Sequence, residues 1–226
     1  MSEMNKDINR RITQVIITLG IQVVLLFLFA GDWTWLWGWI FVGVSIVILL
    51  INLKWIPKEV IEERGRKKEN VKTWDKVING LNIAPAIGIY VVSGLDYRFG
   101  WTGEIPVSIQ LFGIILMFSG SMLFTWSMVS NKFFSTMVRI QEERGHKVAT
   151  EGPYKHVRHP GYVGFIMMSA STPLFLGSFY GLICSATSAL LIIIRTSLED
   201  KTLHKELEGY GNYSDEVRYK LIPYIW

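Results

Sequence analysis

Apolar residues in this chain come in long uncharged runs, not in amphipathic stripes. Ile12 to Ala30 holds no charge and only Thr13, Gln14, Thr18 and Gln22 as polar side chains. Trp35 to Leu53, Val77 to Leu95 and Ile105 to Ser130 are also uncharged. Gly161 to Ile194 is uncharged over 34 residues, with Pro173 and Gly177 in its middle. A bilayer core takes roughly 20 apolar residues as helix. Four runs thus predict one crossing each, and the fifth predicts a hairpin of two shorter crossings hinged near Thr172–Ser178. The expected fold is all-α: an integral membrane bundle of about six crossings. A soluble helical protein would not carry five such runs.

Charge sets an expected orientation. Lys6, Arg10 and Arg11 precede the first run, and the connection at Asp32 has no Lys or Arg. Lys54 to Lys76 is rich in Lys and Arg, whereas Asp96 to Glu104 holds only Arg98. Asn131 to Pro160 and the tail after Arg195 are basic again. Basic segments alternate with nearly charge-free ones, which predicts cytoplasmic N- and C-termini. No small-residue cleavage site follows the first run, so it is expected to stay as a membrane helix. Asp32-Trp33-Thr34-Trp35-Leu36-Trp37 predicts an interfacial aromatic belt. Lys54 to Lys76 predicts a basic cytosolic loop with a surface helix interrupted at Gly65. Gly94 to Trp101 predicts a structured non-cytoplasmic turn, and Asn131 a helix cap. Glu142, Glu143 and Arg144 read as a solvated face. Gly177 and Gly181 read as a small-residue packing pair.

Composition adds little to this. The net charge of +4 is explained by juxtamembrane cations, and no nucleic-acid motif is present. The single cysteine, Cys184, rules out an internal disulfide and reads as a packing residue. Phosphate loops, dinucleotide fingerprints, His-Glu-x-x-His and Gly-x-Ser-x-Gly are absent from the sequence. His156 and His159 are three apart, but Pro160 breaks a helix that would align them, so no metal site is expected.

The chemistry concentrates in Gly152-Pro-Tyr-Lys-His-Val-Arg-His-Pro-Gly-Tyr-Val-Gly164, which runs straight into an apolar segment. Ionisable residues at a membrane boundary are functional candidates. Pro160 suits the first turn of the next helix, whose open N–H groups would sit beside Arg158, His159 and Tyr162. Alone, the motif fits a capped helix start and an anion-binding mouth equally well. A second constellation tips the balance. Arg195 and Glu199 are four apart and share a helix face, and the predicted hairpin returns them to the leaflet of the His-Pro motif. A cation, a carboxylate and a His/Tyr-rich helix mouth could hold a zwitterion.

Gly152-Pro-Tyr154, Val157 to Gly164, Arg195 with Glu199-Asp200, Gly209-Tyr-Gly-Asn-Tyr213 and Arg218 to Pro223 resemble the membrane methyltransferases related to isoprenylcysteine carboxyl methyltransferase and the phospholipid methyltransferases. The resemblance covers about Asn131 to Trp226. It implies S-adenosyl-L-methionine as cofactor, bound on the cytosolic side, and a lipid or lipophilic acceptor that enters from the bilayer. It places cofactor contacts on Gln141, His146, Lys147, Val148, Ala149, Tyr154, His159, Pro160, Gly161, Tyr162, Glu199 and Asp200, where Asp200 stands in place of a frequent glutamate. Arg195 would contact the acceptor, with Glu199 and His159 as the other catalytic groups. The organisation that follows is 1–95, three membrane helices with the basic loop 54–76, and 96–226, a methyltransferase-like region with three more crossings, a cytosolic C-terminal helix and the cofactor pocket. Tyr210, Tyr213, Tyr219, Tyr224 and Trp226 are expected to anchor the tail at the interface. The ending Arg218 to Trp226 also resembles membrane sterol reductases that use NADPH, and a non-catalytic scaffold is the remaining alternative. Whether the acceptor is a carboxylate or an amine, and the oligomeric state, are left open by the sequence.

Overall fold

The computed structural model describes residues 3–226. It is helical throughout, with no strand among the described residues. The helices are α1 (Glu3–Ala30), α2 (Leu36–Trp55), α3 (Lys58–Gly65), α4 (Thr73–Phe99), α5 (Val107–Val129), α6 (Pro160–Leu176), α7 (Gly181–Glu206) and α8 (Tyr210–Glu216). Single 3-10 turns cover Glu142–Arg144 and Gly152–Lys155. Five helices are long and apolar enough to cross a bilayer: α1, α2, α4, α5 and α7. The chain is thus a multi-pass membrane bundle. The sixth, α6, has 17 residues and spans about 26 Å, slightly less than the hydrocarbon thickness. With α7 it forms the predicted hairpin, which turns at Gly177 (φ +79°), a left-handed conformation that suits glycine.

The apolar core lies at the end of the bundle away from the basic segments. Leu26, Phe27, Trp35, Phe41, Met117 and Phe175 are buried there together. Trp35 stacks on Tyr97 at 4.2 Å and is itself buried, so this tryptophan is a core residue and not part of an interfacial belt. Nor is Gly94 to Trp101 simply a turn, because α4 continues to Phe99. Asp96 is buried in the last turns of α4 and accepts hydrogen bonds from the Thr102 N–H and hydroxyl and from the Ser178 hydroxyl. It thereby ties the α4–α5 connection to the α6–α7 turn.

Close helix contact relies on missing side chains. A Cβ at Gly164 would stand 2.6 Å from the Gly120 carbonyl oxygen, and one at Gly113 would stand 2.5 Å from the Phe175 nitrogen. These are backbone atoms, so α5 and α6 touch main chain to main chain. The Gly177–Gly181 spacing is no such seam: Gly177 terminates α6 and Gly181 begins α7, against Pro173 and Ser93. Cys184 packs at the Gly88 position of α4. The predicted surface helix in the basic loop is only α3, which ends at Gly65, where the missing side chain lets the Asp7 carbonyl of α1 approach.

Gly164→Ala is expected to cost about 1–3 kcal/mol through overpacking. Gly80→Ala, with open space around it, is expected to be neutral or to gain up to ~1 kcal/mol of helix propensity. Reversible denaturation in mixed detergent micelles measures both, and equal stabilities would show that the α5–α6 contact is not tight.

Candidate functional site

At the basic end the helices splay around a cavity of ≈ 250 Å³. Its walls come from α3, α4, α5, the 131–149 segment, the His-Pro motif, α7 and α8. Ion pairs hold these elements in place. Asp75, fully buried in the first turn of α4, accepts from Arg195 Nε (2.7 Å) and from the Val138 N–H (2.8 Å). Arg195 also donates to the Thr136 carbonyl at 3.0 Å. One carboxylate therefore joins α4, α7 and the 131–149 segment. Such a pair is costly to desolvate, and the further hydrogen bonds from the Val138 N–H and to the Thr136 carbonyl offset part of that cost.

Glu63 of α3 does the same from the other side. It meets Arg139 at 3.2 Å, Lys68 at 2.8 Å and Arg144 at 3.4 Å. Arg144 also donates to Gln141 Oε1 (2.6 Å) and to the Lys132 carbonyl. It is therefore a structural brace, unlike the solvated face the sequence suggested. Glu142 and Glu143 are exposed as expected, and Glu143 still reaches Arg139 at 2.8 Å. Asn131 lies just past the α5 cap, Ser130, where its Oδ1 accepts from the Phe133 N–H.

The third hub is Asp200. Arg158 donates to it through Nε and Nη2 (2.8 and 3.0 Å), Tyr210 through its hydroxyl (2.8 Å), and His159 Nε2 lies 3.3 Å away. Arg158 Nη1 reaches the carbonyls of Val217 and Arg218 at 2.8 Å each. The backbone N–H groups of Arg158 and His159 donate to the carbonyls of Tyr219 and Lys220. The Arg-His-Pro motif is thus clamped between α7 and the C-terminal tail.

Most of the sequence-predicted residues meet in this one cavity. Gln141, His146, Lys147, Val148, Ala149, Tyr154, His159, Gly161, Tyr162, Arg195 and Glu199 all line it. Two do not. Pro160 is buried at the start of α6, and Asp200 sits behind the wall with its oxygens engaged by Arg158, His159 and Tyr210. Asp200 positions other groups from there. Tyr162 donates its hydroxyl to Glu199 and lies under the Arg195 guanidinium at 5.4 Å. Tyr210 and Tyr213 also line the cavity and are buried, so this part of the tail is wall and not interfacial anchor. Burial and the Asp200 charge raise the Tyr210 phenol above its ordinary value. No cluster of metal-ligating side chains occurs among the described residues.

Sequence reading missed Arg64, Asn79, Asn82, Phe124 and Phe134, which also line the cavity. Asn79 donates to the Asp75 carbonyl, and Asn82 accepts from Ser188. Amides one and two turns inside a membrane helix were the available signal.

His146 accepts the Gln141 N–H at Nδ1 (3.3 Å), which leaves its proton on Nε2. Its ring packs on Phe133 at 4.6 Å. Burial first, then Arg139 and Arg144, push its pKa down from 6.5 to about 4. It is neutral at physiological pH, a donor without charge.

Residues 113–205 match the model of the isoprenylcysteine carboxyl methyltransferase (ICMT) family. Among curated relatives, protein-S-isoprenylcysteine O-methyltransferase B of Arabidopsis thaliana is 30% identical over 87 residues, which is 38% of this chain and 41% of that protein. Protein-S-isoprenylcysteine O-methyltransferase of Schizosaccharomyces pombe is 41% identical over 46 residues, 20% of each chain. Methanethiol S-methyltransferase of Pseudomonas deceptionensis is 42% identical over 66 residues, 28% of this chain and 24% of that one. The chain thus spans at most 41% of the length of these relatives. Its resemblance to an ICMT-like membrane methyltransferase runs from α5 into α7.

The folded value for His146 lies below the unfolded one, so the unfolded chain takes up this proton first as pH falls. Stability contributed here is present above about pH 6.5 and declines as pH drops towards about 4. NMR titration of ring-labelled histidine is expected to show His146 neutral at about pH 5.5, and a midpoint near the ordinary value would refute the burial argument.

Proposed function

We propose that this protein transfers a methyl group from S-adenosylmethionine to a lipophilic acceptor at the basic, cytosolic end of the bundle. The observation that carries the reading is the single cavity lined by His146–Ala149, Tyr154, His159, Tyr162 and Glu199 on one side and by Arg195, Asn79 and Asn82 on the other. The match over residues 113–205 supports it, since that stretch includes the whole His-Pro motif and Glu199.

The donor set fits the cofactor. A carboxylate beside tyrosine faces suits a cation, as sulfonium and ammonium groups are. Arg139 Nε is buried on the wall with no hydrogen-bond partner among the described residues, and a carboxylate would satisfy it. Gln141, His146 to Ala149, Tyr154, His159, Gly161, Tyr162 and Glu199 would hold the cofactor. Bound there, S-adenosylmethionine would supply a sulfonium methyl group for an acceptor lone pair, with a neutral thioether as the leaving group.

The protein's own part is positioning. Asp200 fixes His159 and Tyr210, so the wall around Glu199 is set before anything binds. Tyr154, Tyr210 and Tyr213 exclude water, which strengthens every electrostatic contact inside. Arg195 is held by Asp75 and Thr136, leaving Nη1 without a protein partner among the described residues. A carboxylate acceptor oriented there needs no base, whereas an amine must lose a proton, for which Glu199 or His159 is at hand.

Membranes bearing the full chain are expected to move labelled methyl from S-adenosylmethionine into a lipid-phase product. Glu199→Gln is expected to lower the rate on the order of 10²-fold while the protein stays folded. Undiminished transfer by the variant, or no label in any lipid or hydrophobic acid with the parent chain, would reject the reading.

A further inference from the structure

Arg64 stands apart from the other cations near the cavity. Its side chain makes no hydrogen bond or ion pair with any described residue, although it lines the cavity from α3. Its guanidinium lies against two aromatic rings, 5.6 Å from the Phe124 centroid and 5.3 Å from that of Phe134. The rings meet edge to face at 5.5 Å. Phe134 can occupy this place because Gly161 has no side chain: a Cβ there would stand 2.7 Å from its ring.

The carboxylates that could neutralise Arg64 are all committed elsewhere. Asp7 is paired with Arg10, Glu62 with Arg66, Glu63 with Lys68 and Arg139, and Asp75 with Arg195. Glu199 hydrogen-bonds with Tyr162, has no ion pair with Arg64 and is not among the charges that act on it. The charges that do face Arg64 are the like charges of Arg11 and Arg195. Burial above all, then these two arginines, lower its pKa from 12.5 to about 9. Aromatic faces recover only part of the cost of desolvating a cation. A guanidinium left in this state at a cavity wall is a receptor for an anion.

We infer that Arg64 is the specificity-determining residue of the acceptor end: it receives an anionic group, carboxylate or phosphate, on the lipophilic acceptor. Arg195, whose charge Asp75 already balances, orients the reacting atom but does not select for charge. The assignment rests on the methyltransferase reading for what happens next, but the binding step stands without it. A carboxylate held by Arg64 is itself the nucleophile. A phosphate held there is the anchor of an aminolipid whose amine reacts. Neutral thiols gain nothing from Arg64.

The test uses the full chain in lipid nanodiscs. Decyl sulfonate, an unreactive anion, is titrated with and without S-adenosylmethionine, against decyltrimethylammonium as control. The sulfonate is expected to bind and the ammonium not. Arg64→Ala is expected to weaken the sulfonate at least about tenfold, or 1.4 kcal/mol, with Arg64→Lys restoring most of it and S-adenosylmethionine affinity unchanged in both. Labelled methyl transfer is then compared for tetradecanoic acid, phosphatidylethanolamine and an alkanethiol. Label on the acid points to a carboxylate, and label on the aminolipid to a phosphate; either one, lost in Arg64→Ala, supports the assignment. Equal binding of both detergent ions by the parent chain, undiminished sulfonate binding by Arg64→Ala, or label on the thiol alone would overturn it. Sulfonate binding through Arg64 without any S-adenosylmethionine binding would instead keep the anion site and defeat the methyltransferase reading.

Discussion

A single carboxylate, Asp200, fixes the shape of the site. Arg158, His159 and Tyr210 converge on it, and Lys220 approaches to 3.6 Å. These residues come from the segment before α6, from α8 and from the tail. An isolated charge at this depth would be expensive, and each donor supplied to it repays part of that cost. The consequence is geometric. His159 is not free to rotate, and α8 must lie against α7 for Tyr210 to reach the carboxylate. Tyr210 and Tyr213 then become wall, with Tyr213 donating to the Tyr154 carbonyl at 2.8 Å.

Asp75 and Glu63 apply the same device around the remaining perimeter. Each is a buried acid that gathers an arginine and a piece of the 131–149 segment. That segment has almost no regular structure of its own, yet it contributes Gln141 and His146 to Ala149 to the cavity. Its backbone is held at Val138 by Asp75 and at Phe133 by Gln141 Nε2 (2.6 Å). Irregular chain beside a membrane needs its polar groups satisfied by protein, and here they are.

The helices and the motif cluster were legible in the sequence because both are local. Uncharged runs of bilayer length leave little choice of structure, and Pro160 following His159 marks a helix start wherever it occurs. The Arg195–Glu199 spacing put both groups on one side of α7, and the hairpin brought them to the His-Pro motif. The rest depended on pairings the sequence does not display. Arg195 and Asp75 are far apart in the chain, so Arg195 read as an available cation when it is already paired. Arg64 sat in a charge-rich stretch where nothing distinguished it from its neighbours, and only the accounting of partners sets it apart. The tail tyrosines read as interfacial anchors because the sequence gives no sign that α8 folds back over the cavity. Aromatic residues serve both purposes, and the choice between them is tertiary.

α4 carries one more implication, which concerns how the protein is made. Its most apolar stretch has a mean hydropathy of 1.5, the lowest of the five spanning helices. It holds Asp75, Asn79, Asn82 and Asp96, and the side-chain partners of these residues include Arg195, Met137, Ser188 and Ser178. All four partners are synthesised later. Lipid offers no substitute for such partners, so the polar side chains of α4 reach their full set of contacts only once α7 has been made.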